Sequence, residues 1–351
     1  MLNKKILFVA NSESIHTSKW VDYFVNKNYD VYLATFSLVN NTKCKNIFYL
    51  SLNGVSTNGG NYYYLLKIFK LSKIFREVQP NIVNAHYSYS LGFISLLALK
   101  LSKIETKYSV VCHGSDILDV PYSFFEKINK FVLKNSDKIF AVSSQIKDKI
   151  EELDINIDKV FVGQYGLDSN LKENSYVIKD IDILSNRAYN SNSNIELLLE
   201  SLAINQEIQK LKVVFVLPKI TKNNLQELRE KYPYVEFYSD MEHTKMIDFV
   251  IRSKVYISAT KSDGTALSLL EAILFGTIPL VSNIVSNRSW IVDGINGYLF
   301  DGKEDFITKL NIILTLDRNR IEEVQDINRR LINYRARYKN QMKKIEEFII
   351  I

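Results

Sequence analysis

The sequence predicts an α/β protein built from two doubly wound units, each a parallel sheet covered by helices on both faces. Three observations carry this. Short, continuously apolar runs alternate with amphipathic helical segments along the whole chain, as strands buried on both faces require. The pattern breaks at a polar stretch, SNLKENSYVIKD, and then restarts. At 351 residues the chain is too long for one ordinary core.

The elements follow in order. KKILFVAN reads as a first strand and SKWVDYFVNKN as a helix. DVYLATF is the next strand, and YYYLLKIFKLSKIFREV is helical. NIVNAHY is a strand, followed by an apolar helix around GFISLLALKL. YSVVCHG, KIFAVS and KVFVGQYG are further short β-rich runs. After the polar stretch come IDILSN as a strand, IELLLESLAINQEI as a helix, KVVFVLP, the helix LQELREKY, VEFYS and KVYISAT. The boundary falls near Asp168 to Asp180. This gives a first domain over 1–168, a second over 169–332 and a helical tail over 333–351.

Composition narrows the class. Apolar residues make up 46% and charged residues 24%, as in a soluble globular protein. Cys44 and Cys112 supply neither a disulfide framework nor a metal-ligand set, so a reducing cytosol is expected. The apolar run in MLNKKILFVANSES is too short for a secretory signal, and no stretch reaches the roughly 20 apolar residues of a spanning helix. Residues 1–165 carry 20 Lys and Arg against 14 Asp and Glu, whereas the remainder carries 25 of each. A basic first half suits an anionic acceptor or peripheral association with an anionic membrane, and equally a solvated lysine-rich surface. No nucleic-acid partner is expected.

Two doubly wound units offer ligand sites at the carboxyl ends of their strands. The first turn, NSESIHTSKW, has no glycine and so lacks the fingerprint of a dinucleotide reader. The informative stretch is SDGTALSLLEA, with Asp263 and Glu271 separated by seven residues. KSDGT is the turn after the strand KVYISAT, and the next helix begins near Ala266. Ala266, Leu269, Leu270, Ile273 and Leu274 form one apolar stripe, and Glu271 sits off it. A helix start offers unpaired N–H groups and a positive dipole end, which suit a diphosphate. An acid at each end of such a site would hold hydroxyl-bearing groups, a sugar on one side and a ribose on the other. Taken alone, Asp263 reads equally well as a turn former and Glu271 as a solvated helix residue.

KSDGTALSLLEAILFGTIPLVSNIVSNRSWIVDGINGYLF resembles the donor-binding signature of the retaining GT-B glycosyltransferases of family four (glycosyl transferases group 1). Two acids at this spacing, a proline-containing strand and a D-G-x-N-G-x-L segment appear in the family's order. Weaker matches are ILFVANSESIHTSKWVDYF, QPNIVNAHYSYSLG, VCHGSDI and ILSNR. The resemblance implies a GT-B fold of two Rossmann-like domains facing across a cleft. It implies Glu271 on the ribose and Asp263 beside the donor sugar. The main-chain amides of Gly264, Thr265, Ala266, Leu267 and Ser268 would meet sugar and phosphate. Arg187 would neutralise the diphosphate, and His113 would reach the donor sugar. Ser14, His16 and Lys19, in the first turn, are acceptor-side candidates. No metal and no further cofactor are implied, since the nucleotide sugar, UDP-linked, is a co-substrate.

Three positions depart from the family pattern. Asp263 replaces the usual glutamate. Asn192 stands where a lysine is common, which removes a cation unless Lys219, Lys222 or Lys261 reaches in. Ser289 replaces an acid in the N-R-x-W segment. His86 is read as structural, His243 as a surface residue, and Trp20 and Trp290 as packing. The expected function is a metal-independent retaining transfer of a hexosyl or N-acetylhexosaminyl group to a glycan, lipid-linked or protein-linked acceptor. The setting would be cytoplasmic, or peripheral at the inner face of the membrane. A nucleotide-sugar epimerase on the same fold and a non-catalytic transferase partner remain open beside it.

Overall fold

A computed structural model of the chain describes residues 4–350 apart from 51–61, 119, 121, 165, 168–176, 205 and 264–266. Two compact units divide it: Met1–Tyr165 with Lys339–Ile351, and Gly166–Tyr338. The first division lies before residue 168 and the second after residue 332. Backbone pairing explains both shifts. Leu167 is buried, its N–H donates to Ala336 O at 2.6 Å, and it accepts from Tyr338 N–H at 3.0 Å, so both stretches stay with the second unit.

The first unit contains β1 (Lys5–Val9), α1 (Ile15–Asn26), β2 (Asp30–Thr35), β3 (Asn46–Tyr49), α2 (Ile68–Val78), β4 (Ile82–His86), α3 (Phe93–Ser102), β5 (Lys107–Cys112), α4 (Ser123–Lys134), β6 (Lys138–Ala141), α5 (Ser144–Glu152) and β7 (Val160–Val162). All neighbours pair in parallel, in the order β3-β2-β1-β4-β5-β6-β7. The central strands are the buried ones. Every residue of β4 is buried, whereas β3 and β7, at the edges, are half-exposed. That difference, with a length of only four residues, is why β3 (NIFY) has so weak a periodic signal.

The second unit contains β8 (Ile181–Ser185), α6 (Ile195–Ala203), β9 (Val213–Val216), α7 (Lys222–Lys231), β10 (Val235–Tyr238), α8 (His243–Arg252), β11 (Ser253–Ser258), α9 (Leu267–Leu274), β12 (Ile278–Ser282), α10 (Val285–Arg288), β13 (Tyr298–Phe300), α11 (Gly302–Leu314) and α12 (Arg318–Arg335). Its sheet is also parallel, in the order β10-β9-β8-β11-β12-β13. A final helix, α13 (Tyr338–Ile350), belongs to the first unit from Lys339 onward. There Glu346 accepts from the hydroxyls of Tyr23 (2.6 Å) and Tyr29 (2.7 Å), and Phe348 lies 5.4 Å from Phe161.

Both sheets have the doubly wound order, with the direction of winding reversing between the first and fourth strands. In the first unit the reversal lies between β1 and β4; in the second it lies between β8 and β11. The loops leaving those strands at their carboxyl ends are where such sheets hold ligands.

Candidate functional site

In the second unit the reversal point carries Arg187, two residues past β8, and Asp263, past β11. Arg187 Nη2 donates to Asp263 Oδ2 at 2.7 Å, and Nη1 donates to Ser268 Oγ at 3.3 Å. Both charged side chains remain partly accessible, at 18% and 21%. Burial alone would lower the pKa of Arg187, but Tyr256 and Asp263 beside it carry it upward, so the cation is secure. Ser268, in the first turn of α9, also accepts from the Tyr256 hydroxyl at 2.9 Å. One guanidinium, one carboxylate and one hydroxyl thus meet at the start of a helix. Leu267 is the first described residue of α9, and Gly264, Thr265 and Ala266 lie outside the described residues.

Glu271 is not a solvated helix residue. It is buried, together with Leu269, Leu270, Ala272, Ile273 and Leu274, because α9 is apolar nearly all round and packs within the unit. Its carboxylate needs a partner there. His243, the first residue of α8, supplies one, with Nε2 at 2.8 Å from Glu271 Oε1. The His243 side chain is 56% exposed. The surface reading of His243 therefore caught its exposure and missed its contact. That contact spans 28 residues, and no local spacing encodes it.

Asn192 has a task of its own. Its Nδ2 donates to Ser262 O at 2.8 Å, and its Oδ1 accepts from Ser262 N–H at 3.0 Å. Its backbone carbonyl accepts from Lys261 N–H at 2.9 Å. Three hydrogen bonds strap down the turn that leads into Asp263. A lysine at this position would bring charge but could not make the two-way amide contact.

The rest of the signature is architectural. In the D-G-x-N-G-x-L segment, Asp293 Oδ1 accepts from Leu299 N–H at 2.8 Å, and Asn296 bonds Val292, Trp290 and Asn328. Gly297 faces Pro279 of β12, and a Cβ there would lie 2.5 Å from the proline Cγ. Ser289, in place of an acid, donates to Val285 O within its own turn. Trp290 is buried under the Arg335 guanidinium at 4.5 Å, and Trp20 is buried in the first unit.

The first unit gathers imidazoles at its own reversal point. His113, after β5, has Nε2 at 3.1 Å from His86 Nδ1, at the end of β4. His16 stacks on His113 with ring centroids 5.6 Å apart, and the Tyr87 ring lies 4.5 Å from His113. Burial pushes the pKa of His86 down to about 3, with His16 adding to the shift. Burial, then His86 and His16, hold His113 well below the usual range. Burial and then Lys19 lower His16. All three rings are neutral at pH 7, so they can donate and accept toward an uncharged ligand. Ser14 Oγ accepts from His16 N–H at 3.3 Å as the cap of α1. Lys19 lies one turn further along the same helix.

A buried carboxylate ties these loops together. Asp116 Oδ1 accepts from His113 N–H (2.9 Å) and Gly114 N–H (3.0 Å), and Oδ2 accepts from Ser88 N–H (2.7 Å). Asn129 Nδ2 of α4 donates to Asp116 O at 2.6 Å. Burial raises the Asp116 pKa against the pull of those N–H donors. Tyr87 adopts a left-handed φ of 70°, a strained value for an aromatic residue, just before a π-helical turn over Ser88–Gly92. Composition and spacing gave no sign of the Asp116 hub. Its only trace is an acid three residues after His113. Each reversal point also keeps buried polar atoms without hydrogen-bond partners among the described residues: His86 Nε2 in the first, and Ser185 Oγ and both amide atoms of Asn186 in the second.

Comparison with known proteins agrees with this architecture. Residues 5–143 match the family described as Glycosyl transferase 4-like, and residues 168–334 match Glycosyl transferases group 1. An uncharacterized glycosyltransferase of Methanocaldococcus jannaschii is 20% identical over 285 residues, covering 78% of this chain and 76% of that protein. Anabaena HepE, solved in complex with UDP and glucose, superposes with a TM-score of 0.76 at 12% identity, covering 98% of this chain and 99% of that one. Sucrose-phosphate synthase from Thermosynechococcus elongatus gives a TM-score of 0.80 at 11% identity, covering 98% of each chain. The two family matches together account for most of the sequence, and the fold is that of the GT-B enzymes. The chain belongs to the GT-B glycosyltransferases, and its second unit is of the group 1 type.

Proposed function

We propose that this glycosyltransferase uses a UDP-linked sugar and transfers a hexosyl or N-acetylhexosaminyl group, with retention, to a hydroxyl of a glycan, lipid-linked or protein-linked acceptor. The observation that carries the reading is the junction of Arg187, Asp263 and Ser268 at the reversal point of the second unit. Arg187 presents a fork that fits a diphosphate, and a fixed cation stabilises the charge of a leaving diphosphate without reorganising. In this reading an arriving diphosphate takes Arg187 from Asp263 and frees that carboxylate for the donor sugar. Glu271 takes the ribose, and the amides at the start of α9 take phosphate and sugar. In the first unit, neutral His113 meets the donor sugar, and His16 lies on the acceptor side. The complex of HepE with UDP and glucose supports a UDP-sugar as the co-substrate class.

The reading assigns charge neutralisation to Arg187 and helix N–H groups, so turnover should survive EDTA. Among the described residues, no three His, Cys, Asp or Glu side chains converge as a metal-holding group. Loss of turnover on chelation, restored by Mg²⁺ or Mn²⁺, would contradict the assignment.

The direct test is a thermal-shift panel of UDP-, GDP- and ADP-sugars, followed by NMR of the product anomer. A true donor at 100 times its Kd should stabilise the fold by about 2.7 kcal/mol. Stabilisation by UDP-sugars alone and a product of unchanged anomeric configuration are expected. A preference for GDP- or ADP-sugars would overturn the base assignment, and inversion would overturn the mechanism. Conversion of the nucleotide sugar with no acceptor present would favour the epimerase instead.

A further inference from the structure

The pair His243–Glu271 joins an exposed imidazole to a buried carboxylate, and no role in the reaction described above requires the imidazole. The side-chain exposures, 56% and 6%, set the two groups apart. Glu271 is fixed within α9 and buried among Leu269, Leu270, Ala272 and Ile273. His243 opens α8, so its ring reaches Glu271 from a neighbouring helix while much of it stays in solvent. A carboxylate only accepts, so the Nε2 facing Glu271 Oε1 at 2.8 Å carries the proton. That N–H fixes one carboxylate oxygen and leaves Oε2 as the acceptor for a ligand.

We infer that His243 is a positioning residue for the nucleoside. It holds Glu271 in the rotamer that presents Oε2 to a ribose hydroxyl, and thereby sets discrimination for a ribonucleotide over a 2′-deoxyribonucleotide. The inference rests on the ribose role proposed for Glu271. A residue of purely structural value would weaken both ligands alike when removed. A residue that aims the ribose acceptor would weaken only the ligand that carries the 2′-hydroxyl.

The experiment is calorimetric titration of UDP and 2′-deoxy-UDP into wild type, His243→Ala and His243→Gln, each checked for folding by thermal denaturation. Wild type should prefer UDP by about tenfold, the worth of one good hydrogen bond to a charged group. In His243→Ala the preference should shrink to about twofold or less, through weaker UDP binding with 2′-deoxy-UDP unchanged. His243→Gln, whose amide nitrogen reaches the place of Nε2, should restore it. A wild type without preference would overturn the ribose role of Glu271, and this inference with it. A preference that His243→Ala retains, or an equal loss of both ligands, would overturn the inference alone.

Discussion

The two units share one scaffold and hold opposite chemistry at the same place in it. Each is a parallel sheet with its reversal between the first and fourth strands. In the first unit that point holds three neutral imidazoles braced by a buried Asp116. In the second it holds the ion pair Arg187–Asp263, partly open to solvent. A doubly wound sheet fixes where a ligand binds; the side chains on its loops decide which charge it carries. Uncharged donors and acceptors suit sugar hydroxyls, and a guanidinium suits a diphosphate.

Removing the cation should break this contrast most severely. Arg187→Ala should lower kcat/KM with the true donor on the order of 10²–10³-fold, the scale of a lost fixed charge on a leaving group. Arg187→Lys should recover only part, because an ammonium lacks the fork. Kinetics near wild type for Arg187→Ala would remove Arg187 from the site.

The neutrality of the first unit is testable through pH. His86 has its folded pKa lowered to about 3, whereas an unfolded histidine titrates near 6.5. Between those values the unfolded state binds the extra proton, so this group's penalty is absent above pH 6.5 and grows as pH falls toward 3. Urea denaturation of wild type and His86→Gln at pH 7 and pH 5 reads it. The variant should lose stability less steeply on acidification, by up to about 1.4 kcal/mol per pH unit. Parallel slopes would mean that His86 is not held neutral.

A smaller effect sharpens the contrast from the other side. Asn192 straps the turn before Asp263 with two side-chain hydrogen bonds. Asn192→Ala should cost about tenfold in kcat/KM, the scale of one or two neutral hydrogen bonds. Asn192→Lys should fall similarly, since added charge arrives with the strap removed. A gain in turnover for Asn192→Lys would show that the second cation outweighs the strap.

The sequence discloses these features unevenly, for physical reasons. Interior parallel strands such as β1, KILFV, and β9, VVFV, are almost wholly apolar, so their order along the chain is legible. The edge strand β3, half-exposed and only four residues long, leaves little pattern. Arg187 and Asp263 are recognisable from the motifs they sit in, but their 2.7 Å pairing is not. The triple-imidazole cluster joins residues 16, 86 and 113 from a helix start, a strand end and the loop after another strand. Only the winding of the sheet brings them together, so spacing along the chain could not reveal it. Glu271 illustrates the same limit. Taken alone it reads as a solvated helix residue, yet α9 is covered on that side as well, and His243 is what makes the burial tolerable.

The central claim is that the second unit's reversal point is a diphosphate site built on Arg187. A crystal structure of the protein with UDP tests it most directly. The account predicts phosphate oxygens within hydrogen-bond distance of the Arg187 guanidinium, Asp263 released from its 2.7 Å contact, and the ribose at Glu271. UDP bound elsewhere, with the Arg187–Asp263 pair intact and no phosphate beside it, would contradict the claim.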